Sequence, residues 1–207
     1  MYARTTTVRG DPNAVDDGIG YVREAVWPVL QGMSGCVGMS MLADRDDGRC
    51  IVTAAWATDE AMRASAVSVG ELRDRAAEVM RADSIDVAEW DIAVLHRAHA
   101  AGDGACARVL WTETDPARLD DMVDAVRMSL LPRMDELPGF CSTSLLVDRN
   151  TGRASVSVTY ASRDAMSRAL AMGTAMREDF AAAMGVQISE VAEFDLAIAH
   201  LRVPEMA

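Results

Sequence analysis

Apolar residues recur at helical spacing after each of two Asp-Pro dipeptides, Asp11-Pro12 and Asp115-Pro116. After the first dipeptide, the apolar positions are Val15, Ile19, Val22, Val26 and Leu30. Spacings of three and four residues place them on one face, so the pattern predicts an amphipathic helix. The aspartate is expected to cap this helix, with the proline at its first position. A further proline near the end of each helix, Pro28 or Pro132, is expected to kink or shorten it.

Runs of alternating apolar and polar residues predict four strands in each half of the chain. The predicted strands are Arg4–Val8, Cys36–Ala43, Cys50–Ala57 and Val87–Leu95, with counterparts at Arg108–Thr114, Phe140–Val147, Ala154–Ala161 and Val191–Ala199. An Asp-Gly or Thr-Gly turn joins the second strand to the third, because glycine readily adopts the positive φ that tight hairpins require. A second helix is expected over residues 59–82 and again over 162–184.

The two halves are copies of each other. Residue n matches residue n + 104 without a gap, from Ala3 with Ala107 to His96 with His200. The sequence therefore predicts two repeats, over residues 1–97 and 107–207, joined by a linker rich in glycine and alanine at 98–106.

Each repeat reads as β-α-β-β-α-β, which is the ferredoxin-like arrangement of an α+β fold. In strand three, Val52, Ala54 and Trp56 are expected to face the helices, and so are Trp90, Ile92 and Val94 in the last strand. The opposite face of each sheet has no helix to cover it. The two repeats are therefore predicted to pack sheet to sheet as a pseudo-dimeric α/β barrel.

Composition narrows the function classes. The formal charge of −12 disfavours nucleic acid and anionic membranes as partners, and no apolar run is long enough for a membrane helix, so a cytoplasmic location is expected. The chain contains no lysine, which excludes Schiff-base chemistry and Walker-type phosphate loops. The four cysteines show no metal-ligand spacing, so we expect reduced thiols and no metal site.

The segments SGCVGMSMLADRDDGRCIVTAAWATDEAM and PGFCSTSLLVDRNTGRASVSVTYASRDAM resemble the antibiotic-biosynthesis-monooxygenase-like family of the dimeric α/β-barrel superfamily. The resemblance lies in a glycine at the entry to strand two, a hairpin, an aromatic residue closing strand three, and a polar helix start with Ala-Met. Family members are typically homodimers. The resemblance therefore implies that the tandem repeat builds the dimer within one chain, with a further homodimer as an additional option.

The same resemblance implies a function. Some members are monooxygenases that act on polycyclic aromatic or quinol substrates without metal or flavin, so we expect a cofactor-independent monooxygenase for a small aromatic or polyketide-type molecule. The alternative is a non-catalytic sensor or carrier of a small apolar ligand. The resemblance also implies what the haem-degrading branch of the family needs, namely a histidine in the helix after strand three and an asparagine in strand one. Helices 59–82 and 162–184 contain no histidine and strands 4–8 and 108–114 contain no asparagine, so haem degradation is disfavoured.

Trp56 corresponds to the family's tryptophan after strand three, and Tyr160 stands at the equivalent position of the second repeat. The sequence-based hypothesis gives both rings a ligand-binding role. The alternative is that both are core aromatics that close a strand.

Two further groups of residues are candidates for chemistry. His96 and His200 occupy equivalent strand ends and are proposed as proton-transfer residues, with a structural role as the alternative. The Glu-x-Asp pairs of the last strands are expected to share one strand face at period two. Four carboxylates converging there would supply a base (Asp91, Asp195) and ligand contacts (Glu89, Glu193). The alternative pairs them with arginines such as Arg4 and Arg108.

Overall fold

The computed structural model describes residues 1–201, with Leu201 described by its backbone alone. The first repeat contains β1 (Tyr2–Arg9), α1 (Val15–Tyr21), α2 (Trp27–Gln31), β2 (Cys36–Asp44), β3 (Arg49–Trp56), α3 (Asp59–Ala64), α4 (Ala66–Val79) and β4 (Ser84–Arg97). The second contains β5 (Cys106–Glu113), α5 (Leu119–Ala125), α6 (Leu131–Met134), β6 (Phe140–Asp148), β7 (Arg153–Tyr160), α7 (Arg163–Arg168), α8 (Leu170–Met184) and β8 (Gln187–Leu201). These elements confirm the α+β class and the predicted β-α-β-β-α-β order of each repeat.

The helix starts form as the sequence predicts. Asp11 caps a 3₁₀ turn ahead of α1, and its side chain accepts a hydrogen bond from the backbone N–H of Asn13 at 2.9 Å. Asp115 caps the equivalent turn ahead of α5 by the same contact with Ala117. Thr58 and Ser162 cap α3 and α7 through backbone N–H groups three residues on. Each cap satisfies donors that a helix end leaves unpaired.

A wide, π-helical turn precedes each of the two prolines that were predicted to kink or shorten the first helix. A π-helical turn, Val22–Val26, separates α1 from α2, and the N–H of Trp27 bonds the carbonyl of Val22 five residues back. Pro28 follows in the first turn of α2. Because proline offers no N–H and crowds the preceding turn, the wide turn lets the helical path continue to Gln31 instead of ending early. The second repeat repeats this solution at Val126–Leu130 and Pro132.

The eight strands are hydrogen-bonded in the closed order β1-β3-β2-β8-β5-β7-β6-β4. Strand β3 pairs antiparallel with β1 and β2, and β7 pairs antiparallel with β5 and β6. Strand β2 also pairs antiparallel with β8, and β6 with β4. The final strand of each repeat therefore extends the hairpin of the other repeat. The chain accordingly divides into a first unit, Met1–Trp90 with β8 from Asp195 onward, and a second unit, Asp91–Phe194.

Each unit has its own core between helices and sheet. In the first unit this core contains Val52, Ala54 and Trp56, so the predicted inner face of β3 is confirmed. The last strand departs from prediction: β4 carries a bulge between Ile92 and Val94, and Ala93 as well as Val94 belongs to the core of the second unit. A bulge adds one residue to one strand and so breaks the period of two on which the prediction depended.

The hairpin glycine of the second repeat allows a direct test of the fold. Gly152 has a φ of +76°, and a Cβ at this position would lie 1.9 Å from the carbonyl oxygen of Thr114. Gly152→Ala is therefore expected to lower the free energy of unfolding by about 2 kcal/mol or more, measured by urea denaturation. Gly102→Ala is the control, since no atom lies within 4 Å of its added Cβ. Equal stability of the two variants would contradict the strained turn.

Candidate functional site

The second unit contains an apolar cavity of about 90 Å³ between its helices and the inner face of its sheet. Aliphatic and methionine side chains make most of the wall. The apolar lining includes Met122, Leu130, Met134, Val158, Met176 and Phe180. Val186, just before β8, and Ile188, in β8, are half-buried and form part of the rim. It is larger than the corresponding cavity of the first unit, at about 50 Å³, so it is the first candidate for a ligand site.

A buried arginine forms one polar wall of this second cavity. Arg108 on β5 is 4% exposed. Its Nε and Nη2 both donate to Oε1 of Glu193, at 3.1 and 2.6 Å. The pair crosses from β5 to the last strand, and Glu193 keeps 42% of its side-chain surface exposed. The guanidinium is thus held in the cavity wall by a carboxylate that remains in contact with water.

Tyr160 closes the same wall. Its ring is 2% exposed, and Cζ of Arg108 lies 5.9 Å from the ring centroid. Burial raises the pKa of the Tyr160 phenol above its usual value, and the Arg108 guanidinium offsets this only in part. The phenol therefore keeps its proton at neutral pH and can donate a hydrogen bond into the cavity.

A second arginine lies at the rim of the second cavity. Arg177 on α8 is half-buried, and its Nη2 donates to Oγ1 of Thr174 at 3.4 Å. Among residues 1–200, no carboxylate lies within ion-pair distance of Arg177. The cavity lining itself contains no aspartate, glutamate or histidine. The cavity lining therefore contains one guanidinium, that of Arg177, which forms no ion pair with residues 1–200.

The first unit contains the equivalent cavity, which is smaller, at about 50 Å³. Arg4 takes the place of Arg108, donating to Glu89 at 3.0 and 2.7 Å and to Oγ of Ser65 at 3.0 Å. Arg73, which corresponds to Arg177, pairs with Asp74 at 3.2 Å. The arginines of the first cavity are therefore both matched by carboxylates.

Trp56 lines this first cavity and is fully buried. Its indole N–H has no hydrogen-bond partner among the described residues. Trp56 and Tyr160 thus both reach the cavities in which the sequence analysis expected ligand contacts. They belong at the same time to the cores that the structural alternative described.

The two proposed proton-transfer histidines lie outside both cavity linings. Nε2 of His96 is 2.8 Å from Oδ1 of Asp135, and its ring stacks on Phe140 with centroids 6.1 Å apart. The ring of His200 stacks on Trp27 with centroids 4.6 Å apart and an interplanar angle of 11°. Equivalent positions in the two repeats have therefore acquired different partners.

The carboxylates of the last strands are each engaged by an arginine. Glu89 and Glu193 hold Arg4 and Arg108, which is the ion-pair alternative weighed above. Asp91 lies 3.3 Å from Arg149, which also pairs with Asp120. Asp195 lies 2.8 Å from Arg45, which also pairs with Asp16. None of the four lines either cavity, so the structure does not gather them into one site.

The described residues offer no alternative metal or thiol centre. Within residues 1–201, no three histidine, cysteine, aspartate or glutamate side chains are placed to hold a metal ion. All four cysteines are free thiols, and burial raises the pKa of Cys50 to about 12, which leaves it protonated and unreactive near neutral pH. No helix in this part of the chain has the length and apolarity to span a bilayer.

Sequence reasoning missed Arg177 as a site residue and treated Arg108 only as an ion-pair partner. A signal for both was present, because arginine recurs at n and n + 104 in the pairs Arg4/Arg108 and Arg73/Arg177. An arginine retained at the same position of both copies indicates a shared position in the fold. That Arg177 lacks an ion-pair partner, while Arg73 has one, can be seen only in the structure.

Comparison with known proteins gives close relatives of unassigned function. Over the whole chain, 49% of residues are identical to uncharacterized protein Rv2558 of Mycobacterium tuberculosis strain H37Rv, of which the match covers 87%. Uncharacterized protein Rv2557 of the same strain is 46% identical, with 92% of its length covered. No protein-family model matches the sequence.

Solved structures with a similar fold have low sequence identity to the chain. A candidate monooxygenase of Lactobacillus acidophilus superimposes with a TM-score of 0.71 at 13% identity, covering 97% of this chain and 96% of that one. An anthrone oxidase-like protein gives 0.65 at 13%, covering 99% and 93%. The haem-degrading enzyme LmHde of Listeria monocytogenes gives 0.51 at 9%, covering 95% and 99%. The fold is that of the antibiotic-biosynthesis-monooxygenase-like proteins, as the sequence resemblance indicated.

The Arg108–Glu193 pair yields an asymmetric prediction. Glu193→Ala leaves a buried guanidinium without its acceptor and is expected to lower the free energy of unfolding by about 1–3 kcal/mol. Arg108→Met is expected to cost less than about 1 kcal/mol, because the remaining carboxylate stays solvated and the methionine fills the space. Urea denaturation of both variants measures the difference.

Asp16→Ala serves as the control for that experiment, since it removes a partner from an exposed pair and should cost less than about 1 kcal/mol. Equal losses for Glu193→Ala and Arg108→Met would show that the burial of Arg108 has no energetic consequence.

Proposed function

Since the chain belongs to the family of the Mycobacterium tuberculosis proteins Rv2557 and Rv2558, whose activity is unassigned, we propose a function from its own geometry. The chain binds a small, weakly acidic aromatic molecule in the cavity of the second unit. This is the ligand-binding alternative of the sequence analysis, now tied to one cavity and one ligand chemistry.

The charge of the second cavity carries the proposal. Its lining includes Arg108 and Arg177 and contains no acidic side chain. Glu193 forms an ion pair with Arg108, whereas Arg177 forms none with the described residues. An apolar cavity with one guanidinium that lacks an ion-pair partner favours a ligand that is mostly apolar and can carry a negative charge. A phenol or enol that ionises near neutral pH has both properties.

The methionines of the lining accommodate the size of such a ligand. A volume of about 90 Å³ is below the 300–1,000 Å³ of typical ligand sites, so a ring must displace side chains as it enters. Met122, Met134 and Met176 can do so at low cost, because methionine is unbranched and adapts to irregular volumes. We expect the ligand to enter past the half-buried rim residues Val186 and Ile188.

Binding is testable with 4-nitrophenol, which is coloured only as the anion. We expect saturable binding at neutral pH, with the bound fraction showing more anion absorbance than free probe, because the arginines lower the pKa of the bound phenol. Arg177→Met should weaken binding by about 10-fold or more. Titration by absorbance, checked by calorimetry, gives Kd and the bound protonation state.

The matched control is Arg73→Met, which removes the equivalent arginine of the first cavity and should leave binding in the second cavity unchanged. Nitrobenzene, which cannot ionise, should bind more weakly than 4-nitrophenol to the unmodified protein. Equal binding of the two probes, or no binding of either, would overturn the proposal.

A second candidate function is oxygenation of the bound molecule. It is favoured by the same cationic lining, because a carbanion or enolate stabilised there can reduce O₂ directly. The balanced reaction converts a ring CH₂ group and O₂ to a ring C=O group and H₂O, so the substrate supplies all four electrons. The names of fold neighbours, including an anthrone oxidase-like protein, support this candidate by analogy alone.

Oxygen uptake with anthrone-type substrates separates the two functions. If the chain is an oxygenase, uptake above buffer should fall at least about 10-fold in Arg177→Met, while Trp56→Phe in the other cavity has little effect. If the chain only binds, anthrone will displace 4-nitrophenol without oxygen consumption. The lining holds no histidine or carboxylate to act as a base, which makes binding the better supported function.

A further inference from the structure

One glycine in the interior of α8 has no conformational reason to be glycine. Gly173 lies three residues after the start of the helix at Leu170, and its φ is not in the positive range. A Cβ placed on it would meet a single neighbour, Oη of Tyr160, at an ordinary van der Waals distance of 3.9 Å. Glycine destabilises a helix interior relative to alanine. The residue therefore costs stability and leaves open space beside a phenol.

The first unit shows what closes this space. Val69 occupies the position of Gly173 there, and Trp56 that of Tyr160, and both line the smaller cavity. At several other lining positions the second cavity has the larger side chain. These are Leu110, Val158 and Phe180, which stand where the first cavity has Thr6, Ala54 and Ala76. The second cavity is nevertheless the larger one. Smaller side chains at positions 143, 160 and 173, where the first repeat has Met39, Trp56 and Val69, account for the extra room. Of these, residues 160 and 173 are neighbours in space.

We propose that Gly173 and Tyr160 form the end of the ligand site that holds the oxygen atom attached to the aromatic ring of the ligand. This oxygen accepts a hydrogen bond from the Tyr160 hydroxyl. This rests on the proposed binding of a weakly acidic aromatic molecule and specifies how that molecule is oriented. Gly173 sets the size of the ring that reaches the hydroxyl. Val69 prevents the same approach in the first unit.

The donor role of Tyr160 follows from its surroundings. Its neighbour Arg108 can only donate hydrogen bonds, so it cannot use the hydrogen on Oη. In the first unit the corresponding arginine, Arg4, is further held by Ser65, whereas the second unit has Ala169 at that position. The hydroxyl hydrogen of Tyr160 is thus directed to an acceptor that occupies the space in front of Gly173. A phenolate or quinone oxygen is such an acceptor.

The test uses Gly173→Ala and Gly173→Val with 4-nitrophenol as the probe. Gly173→Ala should raise the Tm of the ligand-free protein by about 1–4 °C, since alanine is the better helix former. The same change should weaken probe binding by about 10-fold, and Gly173→Val by more, because each added carbon occupies the space of the ligand oxygen. Stability and affinity are thus expected to move in opposite directions.

Gly70→Ala is the matched control, because Gly70 is also a helix-interior glycine, in α4, but lines neither cavity. It should raise Tm similarly and leave binding unchanged. Tyr160→Phe should reduce the preference for 4-nitrophenol over nitrobenzene by about 10-fold, since only the hydroxyl is removed.

The measurements distinguish a failure of the proposed ligand binding from a failure of the roles of Gly173 and Tyr160. No binding of either probe to the unmodified protein overturns the proposed function and this inference together. Binding that Gly173→Ala and Gly173→Val leave intact, or that Gly70→Ala weakens equally, overturns the role of Gly173 while the proposed function stands. An unchanged preference in Tyr160→Phe overturns the hydrogen bond to the ligand oxygen.

Discussion

A buried guanidinium must be given acceptors, and this constraint organises both units of the chain. Arg4 and Arg108 lie at the same position of the first strand of each repeat, almost without solvent exposure. Each is held by a glutamate of the last strand of its own repeat, Glu89 or Glu193, 85 residues further along. A charge buried without such a partner would be strongly destabilising, so the contact requires these two strands to lie side by side. Each of these arginines also lines the cavity of its unit.

Much of the fold could be predicted because it depends on local chemistry. The caps at Asp11 and Asp115, the glycine turn at Gly152 and the apolar spacing of each first helix are determined by residues a few positions apart. The wide turns before Pro28 and Pro132 could not be predicted, since kinking, shortening and widening all relieve the same proline clash. The bulge in β4 leaves no mark in the alternation of apolar residues, because both Ala93 and Val94 are apolar.

The site was predictable only in part, for a related reason. Trp56 and Tyr160 could be placed on the helix-facing side of strand three because the period of two holds there. The roles expected of His96 and His200 depended on neighbours far away in sequence, and the two histidines have unlike neighbours, Asp135 and Trp27. Arg177 illustrates the opposite limit. Its residue type is repeated at Arg73, yet what distinguishes it is the carboxylate partner that only Arg73 possesses.

The exchange of last strands has a consequence for how the two copies diverge. Since β8 extends the hairpin of the first repeat and β4 that of the second, neither half of the chain completes its sheet alone. When both copies belong to one polypeptide, the two unlike repeats are always present in a 1:1 ratio. A self-associating ancestor would have had to alter both of its pockets with every substitution. In the fused chain, one pocket can be filled by valine and tryptophan for stability while its twin remains open and available to selection for a ligand.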